Sequence, residues 1–357
     1  MGKNNCNSIT IAKAIGIILM VVGHSSCPQM LSKFIYLFHM PLFFFCSGIF
    51  FSELNGHKTA IQFFKKRIKG LYVPFVKWSV LFLLLHNLLM SVGIYNTSYG
   101  YEGGSSYYTI SEMAHKLTCI LFTMHDYEEL LGGFWFIRAL FVSSMLIVVF
   151  SLLLKSVSKC KHELLCVFFL ILTIIIRRLV PDPEFWRDIS MGAFGAFFYM
   201  TGYLLMRYKG CWQNKYGFIL CCFILILAYS YFKTPVSMGC GFNKVLLYAV
   251  AAVAGILLTI NVSNVLNNSS SFLKRPLYYI GNHTLEILAL HFLLFRVVSY
   301  LYVLCSDMDI CHIAEHPVIT SVSTPSCMWL IYSIVGVCAP IVLVIIYQFV
   351  CNSLKRD

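Results

Sequence analysis

Apolar residues in this chain come in long blocks, not in the alternation of a half-buried strand or the stripe of a surface helix. Ten blocks approach the roughly 20 residues a helix needs to cross a bilayer. They cover about 9–26, 31–52, 71–94, 133–154, 163–180, 190–206, 217–233, 242–262, 276–304 and 327–351. The stretch 110–125 is shorter and more polar, and reads as an interfacial or re-entrant helix. No heptad, tandem repeat or low-complexity tract is evident. The pattern predicts an all-α integral membrane protein, a bundle of about ten transmembrane helices forming one domain over 1–357. The first block holds Lys13 and has no small-residue cleavage site behind it, so it is expected to be a retained helix and not a signal peptide.

Composition points the same way. Of 357 residues, 59% are hydrophobic and only 12% charged, against about 25% charged in soluble domains. The net charge of +12 does not signal nucleic acid, because the basic residues form short clusters between apolar blocks without interleaved aromatics. They act instead as orientation signals. With the N-terminus in the cytoplasm, the inside segments hold Lys3, Lys58, Lys65, Lys66, Arg67, Lys69, Lys155, Lys159, Lys161, Arg207, Lys209, Lys215, Lys274, Arg275, Lys355 and Arg356. The outside segments hold Lys33, Lys116, Arg177, Arg178, Arg187, Lys233 and Lys244. This asymmetry predicts both termini inside. The 15 cysteines are scattered, mostly within apolar blocks, and read as small packing residues. Cys305, Cys311 and Cys327 lie where an oxidising side would let them pair.

Ionisable residues inside membrane segments are costly and mark function by default. Lys13, Lys77, Arg138, Glu286 and Arg296 qualify, with His24, His39, His86 and His291. Lys77 and Arg296 fit side chains that snorkel to the interface, and His86 reads as structural. Lys13 and His24 differ: eleven residues apart, almost three turns, they share one face of the first helix, roughly 16 Å apart along its axis. His39 opens the second helix, Trp135 and Arg138 the fourth, and His291 lies late in the ninth; all are expected in the outer half.

Imidazole has the right pKa to take a proton near neutrality, and Arg138 or the Trp135 N–H suits an oxyanion or a sugar hydroxyl. Two functions follow: acyl transfer with an imidazole base, or a transporter or flippase for a sugar-lipid with His24, Lys13 and Glu286 along its path. The absence of an internal repeat disfavours the second. No metal is expected: the loop residues Cys311 to His316 lack the HExxH pattern. Haem on His24 and His39 would need a second axial pair elsewhere.

Several segments resemble a known family. Lys13-Ala14-Ile15-Gly16-Ile17-Ile18-Leu19-Met20-Val21-Val22-Gly23-His24 resembles the first-helix signature of the acyltransferase family 3 membrane proteins, a basic residue followed after ten positions by His. Phe38-His39-Met40-Pro41-Leu42-Phe43-Phe44-Phe45-Cys46-Ser47-Gly48 is similar to the second-helix motif of its fucose 4-O-acetylase-related branch. Lys65 to Pro74 is similar to the basic loop that follows. Gly133-Phe134-Trp135-Phe136 and Tyr279 to Glu286, ending in His291, resemble later segments. The family's first-helix Arg is Lys13 here, and its two loop Arg are Lys66 and Lys69, which keep charge but lose the bidentate fork. The resemblance implies a bacterial inner-membrane O-acetyltransferase. It would move acetyl from cytoplasmic acetyl-CoA to a sugar hydroxyl of a surface polysaccharide, lipopolysaccharide or lipid-linked glycan. His24 would be base or acyl carrier, assisted by His39 and Lys13. Lys66, Arg67 and Lys69 would meet the CoA phosphates. Trp135, Arg138, Glu286 and His291 would serve the substrate or oxyanion.

Overall fold

The computed structural model describes residues 3–54, 56–101, 103–154, 161–180, 184–208, 215–239, 244–269 and 271–354. Lys155, Lys159, Lys209, Lys355 and Arg356, used above for orientation, lie outside the described residues. Among the described residues there is no strand. The helices are α1 (Lys3–His24), α2 (Gln29–Tyr36), α3 (His39–Ile49), α4 (His57–Arg67), α5 (Val73–Ser91), α6 (Ile110–Phe122), α7 (Trp135–Leu153), α8 (Lys161–Leu179), α9 (Glu184–Arg207), α10 (Lys215–Tyr231), α11 (Val245–Asn267), α12 (Ser271–Asn282), α13 (Thr284–Cys305) and α14 (Met328–Ser353). Short 3₁₀ helices cover Glu129–Phe134 and Ile310–Ala314, and a π-helical turn covers Ile68–Tyr72.

Eight segments among the described residues are long and apolar enough to cross a membrane. The chain is a multi-pass, all-α membrane protein. The two remaining apolar blocks of the sequence form α8, with charged residues at both ends, and α10, with a shorter apolar stretch, Tyr216–Tyr231. The stretch 110–125 forms the short α6, which opens on a full capping box between Thr109 and Glu112.

Three predicted elements differ. The block 31–52 is two helices, broken at Leu37 and Phe38. Pro41 then falls in the first turn of α3, where its missing N–H costs no hydrogen bond. The block 276–304 breaks at His283, with φ −116° and ψ 33°, so its first residues belong to α12 and its remainder to α13. The basic segment 53–70 is mostly helical, as α4 and the π turn. Mean hydropathy is blind to the first two, because a break within an apolar run leaves its average unchanged, and a basic segment gives it no helix to find.

The chain groups into two compact units. The first comprises Met1–Gly16, Gln29–Val73 and Trp135–Gly281. Its centre is α9, against which α3, α7 and α8 pack. α3 and α9 approach backbone to backbone: a Cβ on Gly48 would collide with the Tyr199 carbonyl, and one on Gly202 with the Phe45 carbonyl. Small residues of this kind replace the hydrophobic driving force that lipid removes. The second unit comprises Ile17–Pro28, Pro74–Phe134 and Asn282–Asp357. There α13 packs against α14 and against both 3₁₀ helices.

Candidate active site

The second unit brings two of the predicted residues together. His24 ends α1, and His291 stands two turns into α13, fully buried. Their rings stack at 5.3 Å, and His24 Nδ1 lies 3.1 Å from His291 Nε2. The opposite nitrogen of His291, Nδ1, faces the carbonyl oxygens of Ile287 at 3.1 Å and Leu288 at 3.0 Å. Carbonyls only accept, so His291 Nδ1 carries the hydrogen. In the neutral ring the lone pair then sits on His291 Nε2, and His24 Nδ1 donates to it. This network assigns the lone pair of His24 to its outer nitrogen, Nε2. His24 as a residue is half-buried, and its ring stacks on both His291 and Phe292.

Close helix packing makes this contact possible. Gly133, in the 3₁₀ helix Glu129–Phe134, lies against α13; a Cβ there would come 2.6 Å from Leu288 and 3.9 Å from the His291 ring. Phe292 stacks on His24 at 4.9 Å and also touches His316 at 4.6 Å. His316, in the loop after α13, has a buried Nδ1 without a hydrogen-bond partner among the described residues. Burial, and then the Arg296 and His24 charges, push its pKa down to about 3, so its ring is neutral.

Charged groups brace the loops of this unit. Arg296, predicted to snorkel, is instead buried: Nη2 donates to Glu129 at 2.9 Å, and Nη1 to the carbonyls of Ile313, at 3.0 Å, and Glu315. The Glu315 carboxylate accepts from the backbone N–H groups of Thr320 and Ser321 and contacts His312 and the Ser321 hydroxyl. Burial alone would raise its pKa; these hydrogen bonds outweigh it and hold the carboxyl below its ordinary value. His86 is likewise paired: its Nδ1 meets Glu128 at 2.7 Å and its Nε2 the Ser106 carbonyl at 2.9 Å, between the rings of Tyr95 and Tyr108. Glu286 lies half-buried in the first turn of α13, where a carboxylate suits the positive end of the helix dipole.

The remaining predicted residues lie in the first unit. Lys13 is half-buried on α1, within electrostatic reach of the Cys46 thiol. His39 is buried, with Nδ1 2.9 Å from the Ile35 carbonyl, so it satisfies backbone at the α2–α3 break. Lys66 and Lys69 are exposed; Arg67 donates to the Tyr199 hydroxyl and covers the Phe63 ring at 4.8 Å. Trp135 packs over Gly239. Arg138 is buried and paired with Asp188 at 2.8 Å. Lys77, in the second unit, is exposed. The thiols of Cys305, Cys311 and Cys327 are free.

Glu128, Glu129 and Phe292 were not singled out from the sequence, and His316 was weighed there only as a metal ligand. Glu129 pairs with a residue 167 positions away, and no local spacing announces such a partner. Only the cost of leaving Arg296 unpaired in a membrane segment could have prompted the search for an acid.

The sequence profile of the acyltransferase domain matches residues 7–345. No curated protein and no solved structure matches the chain. A match over nearly the whole length, on a multi-pass helical membrane protein whose first helix ends on a paired imidazole, shows that the chain belongs to acyltransferase family 3 and is a membrane acyltransferase.

Proposed function

We propose that the protein is an O-acetyltransferase that moves acetyl from cytoplasmic acetyl-CoA to a sugar hydroxyl of a surface polysaccharide, lipopolysaccharide or lipid-linked glycan. The observation that carries the reading is the directed hydrogen-bond chain from the Ile287 and Leu288 carbonyls through His291 to His24. It leaves an imidazole lone pair on His24 Nε2, oriented by a second group, which is the arrangement a general base needs. His24 Nε2 takes the hydroxyl proton as the sugar oxygen forms its bond to the acetyl carbonyl carbon. The carbon–sulfur bond then breaks, and the CoA thiolate leaves and takes up a proton. The imidazolium formed on His24 shares its charge with His291 through the 3.1 Å contact.

Lys66 and Lys69 suit the donor phosphates as exposed point charges near the cytoplasmic side. Arg67 fastens α4 to Tyr199 instead. In this reading the protein resides in a bacterial inner membrane with both termini in the cytoplasm, as the charge asymmetry predicts.

The test is mass spectrometry of surface glycans from cells with and without the gene, combined with CoA release by the purified protein. An increment of one acetyl group and acceptor-dependent CoA release are expected. Identical glycans together with no CoA release would overturn the reading. Without acceptor, radiolabelled acetyl-CoA should leave no label on the protein; a stable acetyl-His24 would replace the base role with that of a carrier.

A further inference from the structure

A separate cluster of ligating side chains lies in the second unit, at α6 and the turn behind it. Glu112 is committed to the capping box at the start of the helix. Beyond it, His115 and Cys119 stand four residues apart on one helix face, with Cys119 Sγ 3.8 Å from His115 Nε2. After Phe122 the backbone N–H groups of Thr123 and His125 both bond back to the Cys119 carbonyl, at 2.9 and 3.4 Å. Met124 and Asp126 then take left-handed φ values of 57° and 54°. That conformation is unfavourable for a side chain such as that of Met124, less so for Asp, and strain of this kind gathers where geometry serves a purpose. Here it returns the Asp126 carboxylate to the Cys119 thiol. The ligand atoms of His115, Cys119 and Asp126 all lie within 4.8 Å of one another.

We propose that His115, Cys119 and Asp126 form a zinc site. A tetrahedral ion with zinc–sulfur and zinc–nitrogen bonds of about 2.3 and 2.05 Å places sulfur and nitrogen roughly 3.6 Å apart. The 3.8 Å separation between Cys119 and His115 needs only a small side-chain adjustment to reach this. Thiolate, imidazole and carboxylate are all zinc donors, and the soft sulfur disfavours calcium and magnesium. The Asp126 carboxylate hydrogen-bonds the Cys119 thiol and pushes its pKa up. Zinc would displace that proton and release it on binding. His115 and Asp126 are exposed and Cys119 half-buried, so the ion has access and its fourth position faces solvent.

The role is a clamp. Zinc would tie α6 to the turn that runs directly into Glu128 and Glu129, the carboxylates that hold His86 and Arg296. It stabilises the loops of the second unit and takes no part in acyl transfer, so it stands independently of the acetyl-transfer reading.

The experiment uses the full chain, purified in detergent and stripped with a chelator. Cobalt titration should give one thiolate-to-cobalt charge-transfer band, and zinc should abolish it by competition. Cys119→Ser should lose the band, while Cys305→Ser, which removes another exposed thiol, keeps it. His115→Ala and Asp126→Ala should weaken zinc binding at least about tenfold, as expected for loss of a first ligand of a three-ligand site. Zinc should also raise the melting temperature of the wild type and not of Cys119→Ser. A Cys119→Ser protein that retains the band and the zinc-induced shift, or a wild type that shows neither, overturns the site.

Discussion

His24 and His86 are both membrane-segment histidines of the second unit, and both meet a titratable partner, yet their surroundings engage them to different degrees. His86 is enclosed: one nitrogen on Glu128, the other on a backbone carbonyl, an aromatic ring on each side. No nitrogen is left to face a substrate. His24 touches a second imidazole through one nitrogen, and the lone pair of the other lies outside that contact. The type of residue does not decide between chemistry and support; the number of its atoms already engaged does.

The comparison breaks most sharply at His24. His24→Asn should lower transfer by about 10²–10⁴-fold, the usual contribution of a positioned base, with expression, membrane insertion and melting temperature near wild type. An active, well-folded His24→Asn protein would refute the assignment. Glu128→Ala should do the reverse. Removing one partner of a buried pair costs about 3–5 kcal/mol, seen as a lower melting temperature, while the folded fraction retains donor binding. If Glu128→Ala instead melts like wild type but is inactive, the His86 pair belongs to the chemistry.

A smaller effect is expected in the first unit. Lys66→Ala with Lys69→Ala should raise the apparent donor KM roughly tenfold, the loss expected from a charge-assisted contact, and leave the acceptor KM unchanged. Unaltered donor kinetics would reduce these lysines to topology signals.

A further effect belongs to pH. His316 titrates near 3 in the folded chain, below its ordinary 6.5, so the unfolded chain takes the proton first. Stability is therefore highest above about 6.5 and falls as pH drops toward 3, by at most about 1.4 kcal/mol per pH unit. Glu315 acts in the same direction, but only below the ordinary carboxylate value. Between pH 5 and 7 the decline sums every imidazole that burial keeps neutral, so His316→Gln should make the melting curves shallower there without flattening them. An equally steep decline in the variant would assign the acid sensitivity elsewhere.

Much of the fold was legible because hydrocarbon imposes a length on every crossing. Breaks inside the apolar runs were not, since Phe38 and His283 interrupt helices through local backbone geometry that averaged hydropathy ignores. At the candidate site, His24 and His291 stood out because polar groups there are costly, but depth along the helices grouped them with His39, Trp135 and Arg138 and did not single out the pair. Arg296 was misread because a long cationic side chain near a helix end has two outcomes, the interface or a buried acid. Only tertiary structure supplies Glu129.

The meeting of α3 with α9 has a consequence for inheritance. Gly48 and Gly202 have no side-chain group to offer a reaction, yet each sits where the opposing carbonyl leaves no room for even one added carbon. A saturation survey of viable variants would find these two silent positions as intolerant as any residue that touches substrate. Invariance in this chain's descendants would then record the thickness of a backbone as faithfully as it records catalysis.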